Sequence, residues 1–272
     1  MPNPQTALTN FAAVIVTGGS SGIGKSFIAL LSKLRPELRF CNLSRRKPDT
    51  EVDKLNLRHI PCDLTRPAQL EEALGAVGDF LRGCPPTGQV LLINNSGFGL
   101  YGSFPAPGLE QQLEMVDLNV RAVVHLTGAL LPAIRERGGV IMNIASTAAF
   151  QPTPFIGVYG ATKAFVLHWS LALNEELRGS GVRAMAVCPG PTSTEFFLRA
   201  GLEKRTIPGR HGQTSEEVVM ESLRAMAAGR SMVGTGWRNW VMACLAAAAP
   251  KRFVAWMAGK VIARYRMRRT GR

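Results

Sequence analysis

Short apolar runs alternate with longer helical repeats along most of this chain. The runs lie at residues 13–17, 39–43, 58–62, 90–94, 139–145 and 183–188, and several are apolar at successive positions. Strands of that kind are covered on both faces, whereas a half-exposed strand alternates apolar with polar. Helical patterns follow most of the runs, at about 22–34, 66–82, 109–137, 154–178 and 215–229. Thr214 and Glu217, three residues apart, form a capping box opening the last of these. This alternation predicts an α/β fold, a doubly wound parallel sheet in three layers. Residues 1–235 are expected to form one domain, and 236–272 a basic helical C-terminal extension. The irregular stretch 194–214 is the longest, and a loop of that length in a compact domain is more often a lid than filler.

Composition narrows the class. Apolar residues make up 46% and charged residues 19% of 272, which is globular rather than disordered. Cys41, Cys62, Cys84, Cys188 and Cys244 form no CxxC pair, so neither a disulfide framework nor a metal site is expected, and a reducing compartment fits. The first residues carry no basic segment followed by an apolar run, so no secretory signal is read and a cytoplasmic location is expected. The net charge of +13 is uneven: residues 222–272 hold 11 of the 32 Lys and Arg, leaving 21 against 19 acids in the body. The high pI therefore describes the extension, not the ligand of the body.

The first strand runs into "TGGSSGIG", residues 17–24, and then a helix. Gly18, Gly22 and Gly24, with Ser20, Ser21 and Ile23, would form a tight turn that lets a pyrophosphate approach backbone N–H groups at a helix N-terminus. An ordinary glycine-rich turn is the alternative. In Rossmann-type dinucleotide sites an acid about 20 residues on holds the ribose 2′-hydroxyl. Here Ser44, Arg45 and Arg46 stand at that place, which suits a 2′-phosphate, and NADPH/NADP+ is expected rather than NADH. Asp63, followed by Leu64, could accept from an adenine amino group or cap the helix beginning near Arg66.

Tyr159 and Lys163, four apart on a helix, share a face. An adjacent ammonium would lower the phenol pKa and make it a usable acid or base. A core tyrosine beside a surface lysine is the plain alternative to that pair taken alone.

Taken with "TGGSSGIG", "NNSG" (94–97), Asn119, Ser146, "YGATK" (159–163) and "PGPTST" (189–194), the pair resembles the short-chain dehydrogenase/reductase family over residues 12–195. The resemblance implies an NADP-preferring oxidoreductase acting on CH–OH groups. Tyr159 would be the general acid/base, and Ser146 would hold the reacting oxygen. Lys163 would lower the tyrosine pKa and hold the nicotinamide ribose, and Asn119 would hold a relay water. Asn95, Ser96 and Gly97 would line the adenosine side, with Ser96 where the family usually shows alanine. Pro189, Gly190, Thr192 and Thr194 would shape the carboxamide site. The resemblance also implies a homodimer or homotetramer through helices 109–137 and 154–178. A dinucleotide-binding regulatory or scaffold protein without turnover is the competing class, which four competent catalytic side chains speak against.

Phe98, Leu100, Tyr101, Phe150, Phe155, Phe196 and Phe197 lie near these motifs and suggest an apolar carbonyl or alcohol, an acyl chain or a steroid-like ring. In the extension, a helical plot of 253–265 places Phe253, Val254, Met257, Val261 and Tyr265 in one arc, with Lys260 and Arg264 at its edge. Three partners fit it: an anionic membrane surface, the body or a second subunit, and nucleic acid, for which no reading motif is present.

Overall fold

The computed structural model describes residues 3–49, 56–192 and 212–267, without the side chains of Pro4 and 264–267. Seven strands form one sheet: β1 (Phe11–Thr17), β2 (Arg39–Ser44), β3 (Leu57–Pro61), β4 (Gln89–Asn94), β5 (Gly139–Ile144), β6 (Val182–Cys188) and β7 (Met232–Gly234). Their order is β3-β2-β1-β4-β5-β6-β7, and every pairing is parallel. The order reverses between β1 and β4, and a crevice opens beyond their carboxyl ends at such a point.

Helices α1 (Pro4–Ala7), α2 (Gly22–Leu34) and α3 (Pro67–Arg82) come first. Next, α4 (Leu109–Val116) passes through a π turn, Asp117–Arg121, into α5 (Ala122–Arg137). Then follow α6 (Gly157–Glu176), α7 (Ser215–Ala227), α8 (Trp237–Ala248) and α9 (Lys251–Met267). The expected capping box is present: Thr214 Oγ1 accepts from Glu217 N, and Glu217 Oε2 accepts from Thr214 N. Two short elements, α1 and β7, were not expected; four and three residues carry too little periodic pattern to register.

The strand pleat explains the apolar runs. Along β1, Ala13 and Ile15 enter one core with Leu70, Val77 and Leu130 of α3 and α5. Val14 and Val16 enter the other, with Phe27, Leu31 and Leu223 of α2 and α7. Successive residues thus serve opposite layers, which requires apolar side chains on both faces.

The backbone is tightest where β4 meets β5. A Cβ at Gly139 would stand 2.1 Å from the Val90 carbonyl oxygen, whereas one at Gly75, exposed on α3, would meet nothing within 4 Å. Gly139→Ala should therefore lose about 2–4 kcal/mol of stability, while Gly75→Ala should gain up to about 1 kcal/mol. Denaturant midpoints of the two variants and the wild type read the difference.

Candidate active site

The crevice at the sheet's carboxyl edge is a cavity of about 870 Å³. Its first wall is the glycine turn: Gly18, Ser20, Ser21, Gly22 and Ile23 all line it. Gly18 and Gly22 have φ of +71° and +54°, in the left-handed region that favours glycine. Gly24 lies behind, where a Cβ would stand 2.5 Å from both the Gly18 carbonyl oxygen and Asn95 Nδ2. The turn is therefore folded on itself as tightly as backbone allows. The N-cap Ser21 accepts from Lys25 N through its carbonyl at 3.3 Å and makes no side-chain capping bond, and the first turn of α2 holds no acid. Its leading N–H groups and dipole favour an anion there.

Two polar clamps hold this turn, and neither was foreseen. Thr17 Oγ1 accepts from the Asn95 and Ser96 N–H groups at 2.9 Å each, and Asn95 Nδ2 donates to the Thr17 carbonyl at 2.9 Å. Buried Asn42 on β2 accepts from Gly19 N at 2.8 Å and donates to Ser44 Oγ at 2.8 Å. It also donates to His59 Nδ1 at 3.1 Å, an imidazole whose pKa burial lowers. Ser96 Oγ would stand 2.8 Å from a Cβ at residue 18, so the serine in "NNSG" fits because residue 18 is glycine.

Ser44, Arg45, Arg46, Asp63 and Leu64 line the far end of the cavity. The Ser44 hydroxyl donates to the Arg46 carbonyl at 2.7 Å, which shapes the turn and leaves anion contact to the guanidinium groups. Of the two roles open to Asp63, capping is not the one it takes, since Arg66 is the N-cap of α3. Its Oδ1 accepts from the Thr65 N–H and hydroxyl, and its Oδ2 stands 3.9 Å from Arg45 Nη1. Burial pushes its pKa up, but Thr65 and then Arg45 and Arg66 outweigh it and hold it below the ordinary value.

Asn95, Ser96 and Gly97 pass along the middle of the cavity, and Ser146, Tyr159, Lys163, Pro189, Gly190 and Thr192 close its other end. Thr194 lies outside the described residues, as do Phe196, Phe197 and most of the 194–214 segment. The carboxyl ends of β4 and β5 are tied together beneath this end. Asn94 Nδ2 donates to Asn143 Oδ1 at 2.8 Å, and Asn143 Nδ2 donates to Ser170 Oγ on α6 at 2.9 Å.

Asn119 sits fully buried in the π turn, behind the cavity wall rather than on it. It accepts from Phe98 N at 3.1 Å and donates to the Phe98 carbonyl and Thr162 Oγ1 at 2.9 and 3.1 Å. A Cβ at Gly97 would lie 2.9 Å from Asn119 Oδ1 and 3.3 Å from Lys163 Nζ, so the two side chains flank the glycine.

Tyr159 and Lys163 lie side by side on α6, with Nζ 5.9 Å from the phenol ring centroid. The expected lowering of the phenol pKa is not what this arrangement does. Burial pushes Tyr159 up to about 12, opposed by its hydrogen bond with Ser146. Lys163 Nζ instead donates to the Ile144 carbonyl at 2.8 Å. Burial also pulls Lys163 down to about 8.

Apolar groups complete the wall beside Tyr159: Phe98, Leu100, Leu118, Ile156 and, from α9, Ile262. Phe150 does not join them; it packs edge-on against Trp240 at 5.3 Å. Phe155 turns instead toward Tyr101, with ring centroids 6.2 Å apart. Ile262 lay outside any recognisable motif and enters because α9 folds back across the cavity.

A dinucleotide fits these residues. The cradle of glycines leaves room where side chains would collide, the helix end and Arg45–Arg46 suit phosphates, and the middle is lined by backbone. Lys163 carries a stability signature of its own. Between its folded pKa of about 8 and its ordinary 10.5, the unfolded chain holds a proton that the folded chain has released. Stability should therefore rise with pH across that window, by roughly 3 kcal/mol for this group. Lys163→Met should lack that rise when unfolding midpoints at pH 8 and pH 10 are compared with the wild type.

Comparison with known proteins agrees with this geometry. The family description "short chain dehydrogenase" matches residues 12–204. A serine 3-dehydrogenase of Agrobacterium fabrum is 34% identical over 191 residues, 68% of this chain and 74% of that protein. A very-long-chain 3-oxoacyl-CoA reductase of Anas platyrhynchos is 28% identical over 260 residues, 90% of this chain and 74% of that protein. A short-chain dehydrogenase of Sphingobium yanoikuyae, solved in complex with NADPH, has a TM-score of 0.72 and 31% identity. That match covers 87% of this chain and 93% of the other. The chain belongs to the short-chain dehydrogenase family.

Proposed function

We propose that this chain is an NADP(H)-dependent oxidoreductase that interconverts an apolar carbonyl compound and its secondary alcohol. The observation that carries the reading is the meeting of Ser146, Tyr159 and Lys163 at one end of a cavity whose other end is the glycine turn and Arg45–Arg46. When bound, the nicotinamide supplies or accepts the hydride. The chain's own groups do the rest. Tyr159, which holds its proton at neutral pH, gives it to the carbonyl oxygen during reduction and recovers it during oxidation. Ser146 hydrogen-bonds the same oxygen. Lys163 holds the ribose hydroxyls, and Asn119 orders a water on the path to Lys163. Arg45 and Arg46 hold the 2′-phosphate, so NADPH is preferred to NADH.

An apolar substrate is supported by Phe98, Leu100, Ile156 and Ile262 around the reacting end. Among the described lining residues, the cations are Lys163 and the distant Arg45 and Arg46, so none is left to pair with a substrate carboxylate. The same reading includes a homodimer or homotetramer through α4, α5 and α6, where Leu109, Leu113, Val124 and Phe165 are exposed. It also places the protein in the cytoplasm with its extension against an anionic membrane. Among the described residues, no helix is long and apolar enough to cross a membrane.

Tyr159→Phe should lower kcat by roughly 10²–10⁴-fold on a ketone panel while leaving NADPH affinity nearly unchanged. A panel on which charged hydroxy acids outrun apolar ketones and acyl thioesters would remove the substrate assignment. Arg45→Glu combined with Arg46→Glu should lower kcat/KM for NADPH about tenfold or more, with NADH little affected. Steady-state kinetics with both dinucleotides measures that ratio.

A further inference from the structure

The extension packs on the body by Trp240, Val254, Ile262 and several small side chains and turns most of its other large ones outward. On α9, Val254, Ala258 and Ile262 recur every four residues on the inner face, alongside Ala255 and Gly259. A Cβ at Gly259 would lie 3.6 Å from Pro154, so the helix lies close against the 151–156 loop. Val254 is buried, apart from the exposed Phe253 and Met257 with which the helical plot grouped it. The outer face carries Phe253, Trp256, Met257 and Val261, each 43–56% exposed. On α8, Trp237, Val241, Met242 and Leu245 are likewise exposed, while Trp240 and Ala243 face the body. A helix in water does the reverse.

Charge identifies what covers this surface. No acidic residue follows Glu221 in the sequence. Arg238 lies over the Trp237 ring at 5.2 Å and Lys260 over Trp256 at 3.8 Å, with Lys251 and Arg252 at the start of α9. A second copy of this face would oppose like charge to like charge. Nucleic acid would leave the apolar groups uncovered. An anionic lipid surface satisfies both, with aromatic and aliphatic groups inserted and the cations among headgroups.

The same helix is a wall of the active site. Ile262, on its inner face, lines the cavity that holds Tyr159. The Tyr101 hydroxyl donates to the Ile262 carbonyl at 3.0 Å, which ties α9 to the loop following "NNSG". Gly102 N donates to the Phe155 carbonyl at 2.8 Å, which joins that loop to the 151–156 segment. Phe155 is held there at φ +67°, a strained conformation for a bulky residue. One helix, roughly 10 Å across, thus separates the proposed lipid face from the reacting end.

We propose that α9 is a doorway: docked on an anionic bilayer by its outer face, it admits an apolar substrate from the lipid directly into the cleft past Ile262. This rests on the membrane contact proposed above, and the test separates the two. Full-length protein with NADPH carries a photoreactive benzophenone side chain in place of Met257 (outer face), Leu100 (cleft wall) or Glu37 (ahead of β2, at the opposite edge of the sheet). Each is irradiated with phosphatidylcholine vesicles, with or without phosphatidylglycerol, and NADPH binding is measured for each variant. The doorway requires lipid adducts from positions 257 and 100, but not 37, in vesicles containing phosphatidylglycerol. Trp256→Glu should lower both by about tenfold or more. Ile156, also on the cleft wall, repeats the readout should a change at 100 disturb NADPH binding. Adducts at 257 with none at 100 or 156 would overturn the doorway and leave the docking intact. No phosphatidylglycerol-dependent adduct at 257, or protein–protein adducts there instead, would overturn both.

Discussion

The site depends on keeping one ammonium inside the protein. Lys163 is almost wholly buried, and a buried cation is costly unless something accepts its hydrogens. The Ile144 carbonyl at the carboxyl end of β5 is that acceptor in this structure. The bond ties α6 to the sheet at the point where the strand stops. It thereby sets the height at which Tyr159, one turn earlier, presents its hydroxyl to Ser146 just beyond the same strand. Asn119 and Gly97 complete the enclosure from the β4 side. A larger residue at 97 would push on Asn119 and Lys163 together, so this glycine and the Tyr159–Lys163 end of the cavity are one packed unit.

The second constraint is the splice between β1 and β4. Where sheet order reverses, neighbouring strands send their chains to opposite faces and their ends separate. Thr17 bridges that parting with three hydrogen bonds, two to Asn95 and one to Ser96, and Asn42 fastens the glycine turn to β2. The glycine-turn end is thus built from backbone held by two side-chain amides, one of them buried, and one hydroxyl. That leaves its N–H groups available to an anion while the turn itself cannot sag.

Much of this was legible in the chain because its signals are local. Six strands were read from short runs, several of them apolar on both faces, and Gly18–Ile23, Ser146, Tyr159 and Lys163 stand within recognisable spacings; the structure brings them to one cavity. What was not legible is long-range. Asn42 and Thr17 look like ordinary strand polar residues until their partners 23 and 78 positions away are known. Phe150 and Phe155 sit close in sequence to Tyr159, yet packing against Trp240 and Tyr101 turns them elsewhere. The helical plot of 253–265 recorded an apolar arc but not which side meets the body, since small residues share the inner contact. The direction of the phenol pKa was missed for a related reason: sequence spacing shows that the ammonium is near, not how strongly burial favours the neutral phenol.

The last strand, β7, is three residues long, and the Trp240 indole occupies the space above Gly234, where a Cβ would lie 1.8 Å from the ring. So brief a margin offers a foreign strand few unpaired peptide groups to zip onto, and the indole roofs one of its faces. That guard comes from α8. A chain cut just after β7 would bare a ring-sized hollow and a sticky rim, and would clump for reasons unrelated to lipid. The extension is in this sense a hem, which is why it is better altered one outward side chain at a time than trimmed away.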